Sequence, residues 1–402
     1  MSKIPVLYPV IVGGHICLDI IPTIKGEEFE IVPGKLMDIG KAVLATGGAV
    51  ANTGLALHRL GIPVQLMGKV GEDFIGETII SIFKKIETSL ANNMIIAQGE
   101  YTSYSIVISP QNMDRMFLHF TGANDTFHSN DIKFETLLQA GLFHFGYPPL
   151  MRQMYENNGT EIINLMSKAK EAGNTTSLDL ATPDPDTFSG QLDWFEILTN
   201  LLPCVDLFFP SLEEILFMVQ REKYEEMQLK YGSEHLINHV DAPLLYELSN
   251  ILLTMGAPIV VIKLGEYGLY MRTTANRARL QQCGRYAYEN IEYWYNRELY
   301  IPCFKVNVVG TTGAGDCTIA GFIAGFIQKF NPEHVMINAV ATGACNVEQS
   351  DATSGIIHSN ELNSRIAAGW EQSHKKLQLT GYIPSFHNEV IVYLGTRDQY
   401  YS

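Results

Sequence analysis

The chain has little of what marks several protein classes. Its six cysteines, Cys17, Cys204, Cys283, Cys303, Cys317 and Cys345, form no C-x-x-C pair. That fits scattered, reduced thiols of a cytoplasmic protein rather than a disulfide framework or a zinc ribbon. Basic residues are few: 28 Lys and Arg stand against 43 Asp and Glu, a formal net charge of −15. Nucleic acid is gripped by cations that neutralise its phosphates, so neither nucleic acid nor an anionic membrane surface is expected as a partner. The apolar runs at 6–12 and 319–327 are far shorter than the roughly 20 residues that span a bilayer, and no signal peptide opens the chain. There is no H-E-x-x-H, no G-x-S-x-G elbow, no Walker A loop and no G-x-G-x-x-G fingerprint. His119, His128 and His144, lacking ligand spacing, read as ordinary structural or surface residues. A nicotinamide-dependent oxidoreductase lacks its signature.

What is present is apolar and regularly spaced. The hydrophobic share of the 402 residues is 46%, enough for a sizeable core. Short apolar runs at 142–145, 176–180, 207–209 and 259–264 alternate with helical patterns at 158–172, 211–219 and 244–255. Strands that are apolar on both faces and separated by helices predict a parallel sheet covered on both sides. Residues 29–45 read as a half-exposed strand pair, and 103–120 as a hairpin turning at 110–114. Two closing helices are expected at 316–330 and 332–347. The polar, aromatic-rich stretch 272–304 reads as an insertion or extended hairpin, and residues from about 382 onward have no evident role.

The segment most charged with chemistry is Val308-Val309-Gly310-Thr311-Thr312-Gly313-Ala314-Gly315-Asp316. A strand ends, a glycine-rich turn follows and a small-residue helix begins. Free amides at a helix start, aided by the macrodipole, can hold a phosphate. A carboxylate at the same spot can take a proton from an attacking hydroxyl. Read alone, Asp316 could equally be a helix cap.

The segment resembles the C-terminal signature of the PfkB (ribokinase-like) carbohydrate and nucleoside kinases. Gly47-Gly48-x-x-x-Asn52 is similar to that family's N-terminal element, and Gly68-x-Val70-Gly71-x-Asp73-x-x-Gly76 to its strand and turn. Gly122-Ala123-Asn124 resembles the end of its lid hairpin, and Lys263-Leu264-Gly265-Glu266-x-Gly268 its nucleotide loop. The elements fall in the family's order across about residues 10–355. The resemblance implies an α/β fold: a doubly wound, mostly parallel sheet flanked by helices, with a small β-sheet lid. Residues 1–370 would form the kinase domain, with the lid from about 17–45 and 101–122, and 371–402 an extension of unassigned role.

Roles follow from the resemblance position by position. Asp316 is the implied base, with the amides of Gly313, Ala314 and Gly315 forming an anion hole. Asp19 would grip acceptor hydroxyls, and Gly47, Gly48 and Asn52 would line the same pocket. Gly265 and Gly268 would let ATP lie against their loop, Lys263 would reach a phosphate, and Asn338 the adenine. Glu214 would serve Mg²⁺, although Ser211 replaces the Asn of the family's magnesium motif. Gly310 replaces an Asp that helps bind a monovalent cation in some members, which puts potassium activation in doubt. The implied reaction is phosphoryl transfer from ATP to a hydroxyl of a sugar or sugar derivative, in a cytoplasmic enzyme that could pair as a homodimer through the lid. A nucleoside kinase is the near alternative, with Tyr101, Tyr104 and Phe120 as stacking candidates. A catalytically idle sugar- or nucleotide-binding regulator is the distant one.

Overall fold

The computed structural model describes residues 8–24, 33–108 and 116–401. The turn at 110–114 and residues 29–32 of the expected strand pair lie outside them. Among the described residues the strands, in chain order, are β1 (Val10–Gly14), β2 (Cys17–Pro22), β3 (Ala42–Gly47), β4 (Val64–Met67), β5 (Lys69–Gly71), β6 (Ile95–Ala97), β7 (Tyr104–Ile108), β8 (Met116–Phe120), β9 (Leu142–Gly146), β10 (Thr175–Asp179), β11 (Leu207–Phe209), β12 (Ile259–Lys263), β13 (Leu269–Thr273), β14 (Glu298–Ile301), β15 (Ile383–His387) and β16 (Val390–Leu394).

Successive side chains of a strand point to opposite faces, and here both faces are covered. Val10 and Val12 of β1 enter one core and Ile11 the other. Ile259 and Val261 of β12 join the first core, Val260 and Ile262 the second. That double burial is why these strands are unbroken apolar runs. The main sheet has ten strands in the order β15-β16-β14-β13-β12-β11-β10-β9-β1-β4. From β4 to β12 every pairing is parallel; from β12 to β15 every pairing is antiparallel. Helices Ala49–Arg59, Ala314–Ile327 and Pro332–Val347 supply side chains to one core, and helices Arg152–Glu171, Leu212–Val219 and Ala242–Met255 to the other. No helix among the described residues is long and apolar enough to cross a membrane.

The lid is a separate four-stranded sheet in the order β3-β2-β7-β8. Of the five expected helices, those at 211–219, 244–255, 316–330 and 332–347 form close to their predicted limits. The one expected at 158–172 joins a preceding helical segment across a kink, where Asn157, Asn158 and Gly159 adopt left-handed backbone inside Arg152–Glu171. The 272–304 stretch takes the second of its two expected forms, an extended hairpin. Its ends are strands β13 and β14, paired antiparallel from Leu269↔Ile301 to Arg272↔Glu298 and joined by short helical turns. Residues beyond 382 extend the same sheet, with β16 pairing to β14.

A buried ion network clamps that edge. The Arg297 guanidinium, almost wholly out of water, donates to Asp398 Oδ2 at 2.9 Å and to Glu333 on the Pro332–Val347 helix. Asp398 also accepts the Glu298 amide at 2.9 Å. Removing one partner of a buried pair leaves the other charge uncompensated. Arg297→Ala is therefore expected to destabilise the fold by about 3–5 kcal/mol; a denaturant midpoint unchanged from wild type would contradict this.

Candidate active site

Parallel strands of a doubly wound sheet deliver their carboxyl ends to one edge, and ligands bind there. Here β1, β9, β10 and β12 end at Gly14, Gly146, Asp179 and Lys263. The Ala314–Ile327 helix starts beside them. Its N-cap, Gly313, has φ 74°, a left-handed conformation that glycine adopts without steric cost. The Ala314 amide closes a turn on Thr311 O at 3.3 Å, and the first intrahelical bond runs from Cys317 N to Gly313 O at 2.8 Å. The amides of Gly315 and Asp316 thus belong to the helix's unbonded first turn. The Ala314 amide, expected in the anion hole, is in part committed to the turn.

Asp316 sits in that first turn with its carboxylate buried. Asn52 Nδ2 donates to Oδ2 at 3.0 Å and Thr53 Oγ1 to Oδ1 at 3.4 Å. The Tyr147 hydroxyl lies 2.9 Å from Oδ1 and 2.8 Å from Oδ2. Asn52 and Thr53 come from the first turn of the Ala49–Arg59 helix, which Gly48 opens with φ 86°. Burial pushes the Asp316 carboxyl above the ordinary carboxylate range, opposed by the donors Asn52 and Tyr147.

On the lid side, Asp19 of β2 packs against β3. A Cβ on Gly47 would fall 2.3 Å from Asp19 Oδ2, so only glycine leaves the carboxylate where it is. Cys17 Sγ lies 3.4 Å from Asp19 Oδ1. His119 of β8 makes structural contacts here: its Nδ1 lies 2.9 Å from Ser105 Oγ and its Nε2 3.3 Å from His15 Nε2. Burial, with His119 nearby, pulls the His15 pKa down to about 3, which keeps that ring neutral.

On the opposite side, Lys263 Nζ pairs with Asp179 Oδ1 at 2.5 Å. Burial works against the ammonium, but the Asp179, Glu214 and Asp316 carboxylates outweigh it and hold the Lys263 pKa up. Burial pushes the Asp179 carboxyl up, against the pull of Lys263. Glu214 is a capping-box residue: Ser211 caps the helix, and the Ser211 amide donates to Glu214 Oε2 at 2.6 Å. Among the described residues no cluster of three or more His, Cys, Asp or Glu is arranged to hold a metal ion.

A cavity of about 510 Å³ adjoins Lys263 and the helix start, lined in part by Gly265, Gly268, Ala314, Gly315, Val340 and Val347. Asn338 does not line it. Its side chain is buried, and its Nδ2 would lie 3.6 Å from a Cβ on Gly325 of the neighbouring helix. The Pro332–Val347 helix offers the cavity Val340, Gly343, Ala344 and Val347 instead.

Residues 10–359 match the pfkB family carbohydrate kinase family. The chain belongs to this family. It is thereby a phosphotransferase with an alcohol group as acceptor. Among curated proteins it is 24% identical over 348 residues to a 2-dehydro-3-deoxygluconokinase of Bacillus subtilis, covering 85% of this chain and 93% of that one. It is 23% identical over 317 residues to probable fructokinase-4 of Arabidopsis thaliana, covering 78% and 81%. A solved fructokinase with bound ATP from Xylella fastidiosa has the same fold, with TM-score 0.65 at 19% identity over 90% of this chain and 99% of that one.

Sequence reasoning missed Asp179, Thr53 and Tyr147. Asp179 and Tyr147 lie at or just past strand ends, where position in the sheet is the only signal. The Gly47–Asp19 contact gives a direct test within this pfkB chain. Gly47→Ala is expected to displace the Asp19 carboxylate with little loss of fold. Were Asp19 to grip the acceptor, as the resemblance implies, losing one charge-assisted hydrogen bond would raise acceptor KM about 10–100-fold; a KM equal to wild type would show that Asp19 does not grip it.

Proposed function

We propose that the enzyme transfers the γ-phosphoryl group of ATP to a hydroxyl of a sugar or sugar derivative, with Asp316 as the base. One observation carries this reading: a buried carboxylate stands in the first turn of a helix whose Gly315 lines the adjoining cavity. ATP would lie in that cavity against Gly265 and Gly268, its terminal phosphate towards the amides of Gly315 and Asp316. Oriented amides stabilise negative charge as it develops on the transferring group. The acceptor, held by Asp19 and Asn52, would approach in line, and Asp316 would take its proton.

Mg²⁺ arriving with ATP would neutralise phosphate charge. It keeps most of its waters and needs few protein ligands. Glu214 and Asp179 suit such outer-sphere contact, since the buried Asp179 Oδ2 has no hydrogen-bond partner among the described residues. Lys263, paired with Asp179, stands 3.8 Å from where a Cβ of Gly315 would be, within reach of a phosphate held there.

A sugar rather than a nucleoside acceptor is favoured by the named activities of the matched relatives. The Tyr104 and Phe120 rings pack on each other, centroids 5.8 Å apart, which occupies part of the aromatic surface a base would need. Val43, Leu44, Phe117 and Leu118 leave apolar surface exposed on the lid, which supports pairing of two copies there; a monomer mass by light scattering would remove that reading.

Asp316→Asn is expected to cut kcat by a factor of about 10²–10⁴ in an ADP-release assay with Mg-ATP and fructose, ribose or 2-keto-3-deoxygluconate. Near-normal turnover would remove Asp316 from its role. A raised Asp316 pKa places the acid limb of the wild-type profile above the usual carboxylate range, with activity lost as the pH falls through it. The same assay should give equal rates with and without potassium. A Cβ on Gly310 would meet Gln349 O at 2.9 Å, so this turn has no room for the aspartate side chain; potassium activation would refute this.

A further inference from the structure

Tyr147 has no part in the phosphotransfer scheme above, yet it touches the base more closely than any other side chain. It follows β9 in a left-handed conformation, φ 66° and ψ 41°, that bulky residues avoid. The buried Pro148 and Pro149 come next. This backbone aims the phenol at Asp316 rather than along the strand.

An ionised carboxylate offers about four lone-pair positions. Asn52 and Thr53 occupy one on each oxygen of Asp316, at 3.0 and 3.4 Å. The Tyr147 hydroxyl, 2.9 and 2.8 Å from the two oxygens, shares its single O–H between them and stands against both. An alcohol that must hand its proton to Asp316 needs one of these positions. Asn52 and Thr53 are held in a buried helix turn, so the phenol is the partner that can give way.

We propose that the Tyr147 hydroxyl stands in for the acceptor hydroxyl on Asp316, and that the acceptor displaces it on binding. The inference rests on Asp316 being the base. The acceptor O–H replaces the phenol O–H as donor. Its proton passes to Asp316 as the new O–P bond forms and the bond from phosphorus to the ADP oxygen breaks, while Tyr147 keeps its own proton throughout. Without acceptor, the phenol keeps water off the base and so restrains wasteful ATP hydrolysis. The displaced ring has a neighbour tied to the lid: its centroid lies 6.1 Å from that of His15, which meets His119 of β8. Displacement of the phenol therefore acts on a group in contact with the lid. Tyr147 is on this view a positioning residue that sets how strongly an alcohol must bind to reach the base.

The test compares wild type with Tyr147→Phe, which keeps the ring, and Tyr147→Gly, which suits the left-handed backbone. Two quantities are read: KM for the sugar that gives turnover in the panel, and ADP release from Mg-ATP with no acceptor present. In Tyr147→Phe the acceptor no longer competes with a hydrogen bond. Its KM should fall about three- to tenfold, and acceptor-free hydrolysis should rise by a similar factor. Tyr147→Gly should raise acceptor-free hydrolysis at least as much. The proposal is overturned if KM is unchanged or higher in Tyr147→Phe, or if acceptor-free hydrolysis stays at the wild-type rate in both variants. A fall in kcat with KM unchanged would make the phenol a donor needed in the transition state. Failure of the underlying reading looks different: wild type would phosphorylate no sugar, or Asp316→Asn would retain its turnover.

Discussion

A carboxylate removed from water needs donors on its lone pairs, and Asp316 imposes that demand on three separate parts of the chain. The Ala49–Arg59 helix must enter at Gly48 so that Asn52 and Thr53 face it. The end of β9 must turn left-handed so that Tyr147 reaches it. The Ala314–Ile327 helix must begin at Gly313, where Ala314 and Gly315 line the adjoining cavity. Each element also packs in the core, so the site's geometry and the fold's stability share the same contacts. The constraint is demanding because a buried polar group left unpaired costs more than a made hydrogen bond returns.

Charge is arranged around this centre in layers. Lys263 is held between Asp179 and the Glu214 and Asp316 carboxylates, a local excess of negative charge that keeps the ammonium protonated. On the lid side stand His15, which burial keeps neutral, and His119, whose pKa burial also lowers. One flank of Asp316 thus carries a protonated ammonium, and the other a ring held neutral. Net charge, at −15, describes neither side.

Much of this was legible in the sequence because it is local. The Gly313-Ala314-Gly315-Asp316 turn, the Gly47-Gly48 helix entry and the apolar runs of β9 to β12 each carry their signal within a few residues. What was hidden depends on distance. His119 has no motif, since its partners Ser105 and His15 are fixed only once the lid forms. Asn338 sits in a helix buried almost all round, so periodicity cannot say which side chain faces a ligand and which faces Gly325. β13 and β14 were obscured because 24 residues of short helical turns separate two partners of one ladder. β15 was obscured by Pro384 and its half-exposed, alternating pattern.

The edge of the main sheet adds a constraint on how the molecule is made. β14 has β13 on one side and β16 on the other, and Arg297 beside it finds Asp398 a hundred residues downstream. While the chain is emerging from a ribosome, β14 is synthesised long before β16 and Asp398. For that interval it presents an open row of amides and carbonyls beside a buried guanidinium that lacks its carboxylate, the kind of edge that recruits the wrong strand. Maturation of the cavity beside Lys263, whose wall includes Leu269 of β13 and Ser373 and Lys375 from the far end of the chain, must then wait for the 373–398 region. Catalytic competence would arrive late and all at once rather than growing with the chain.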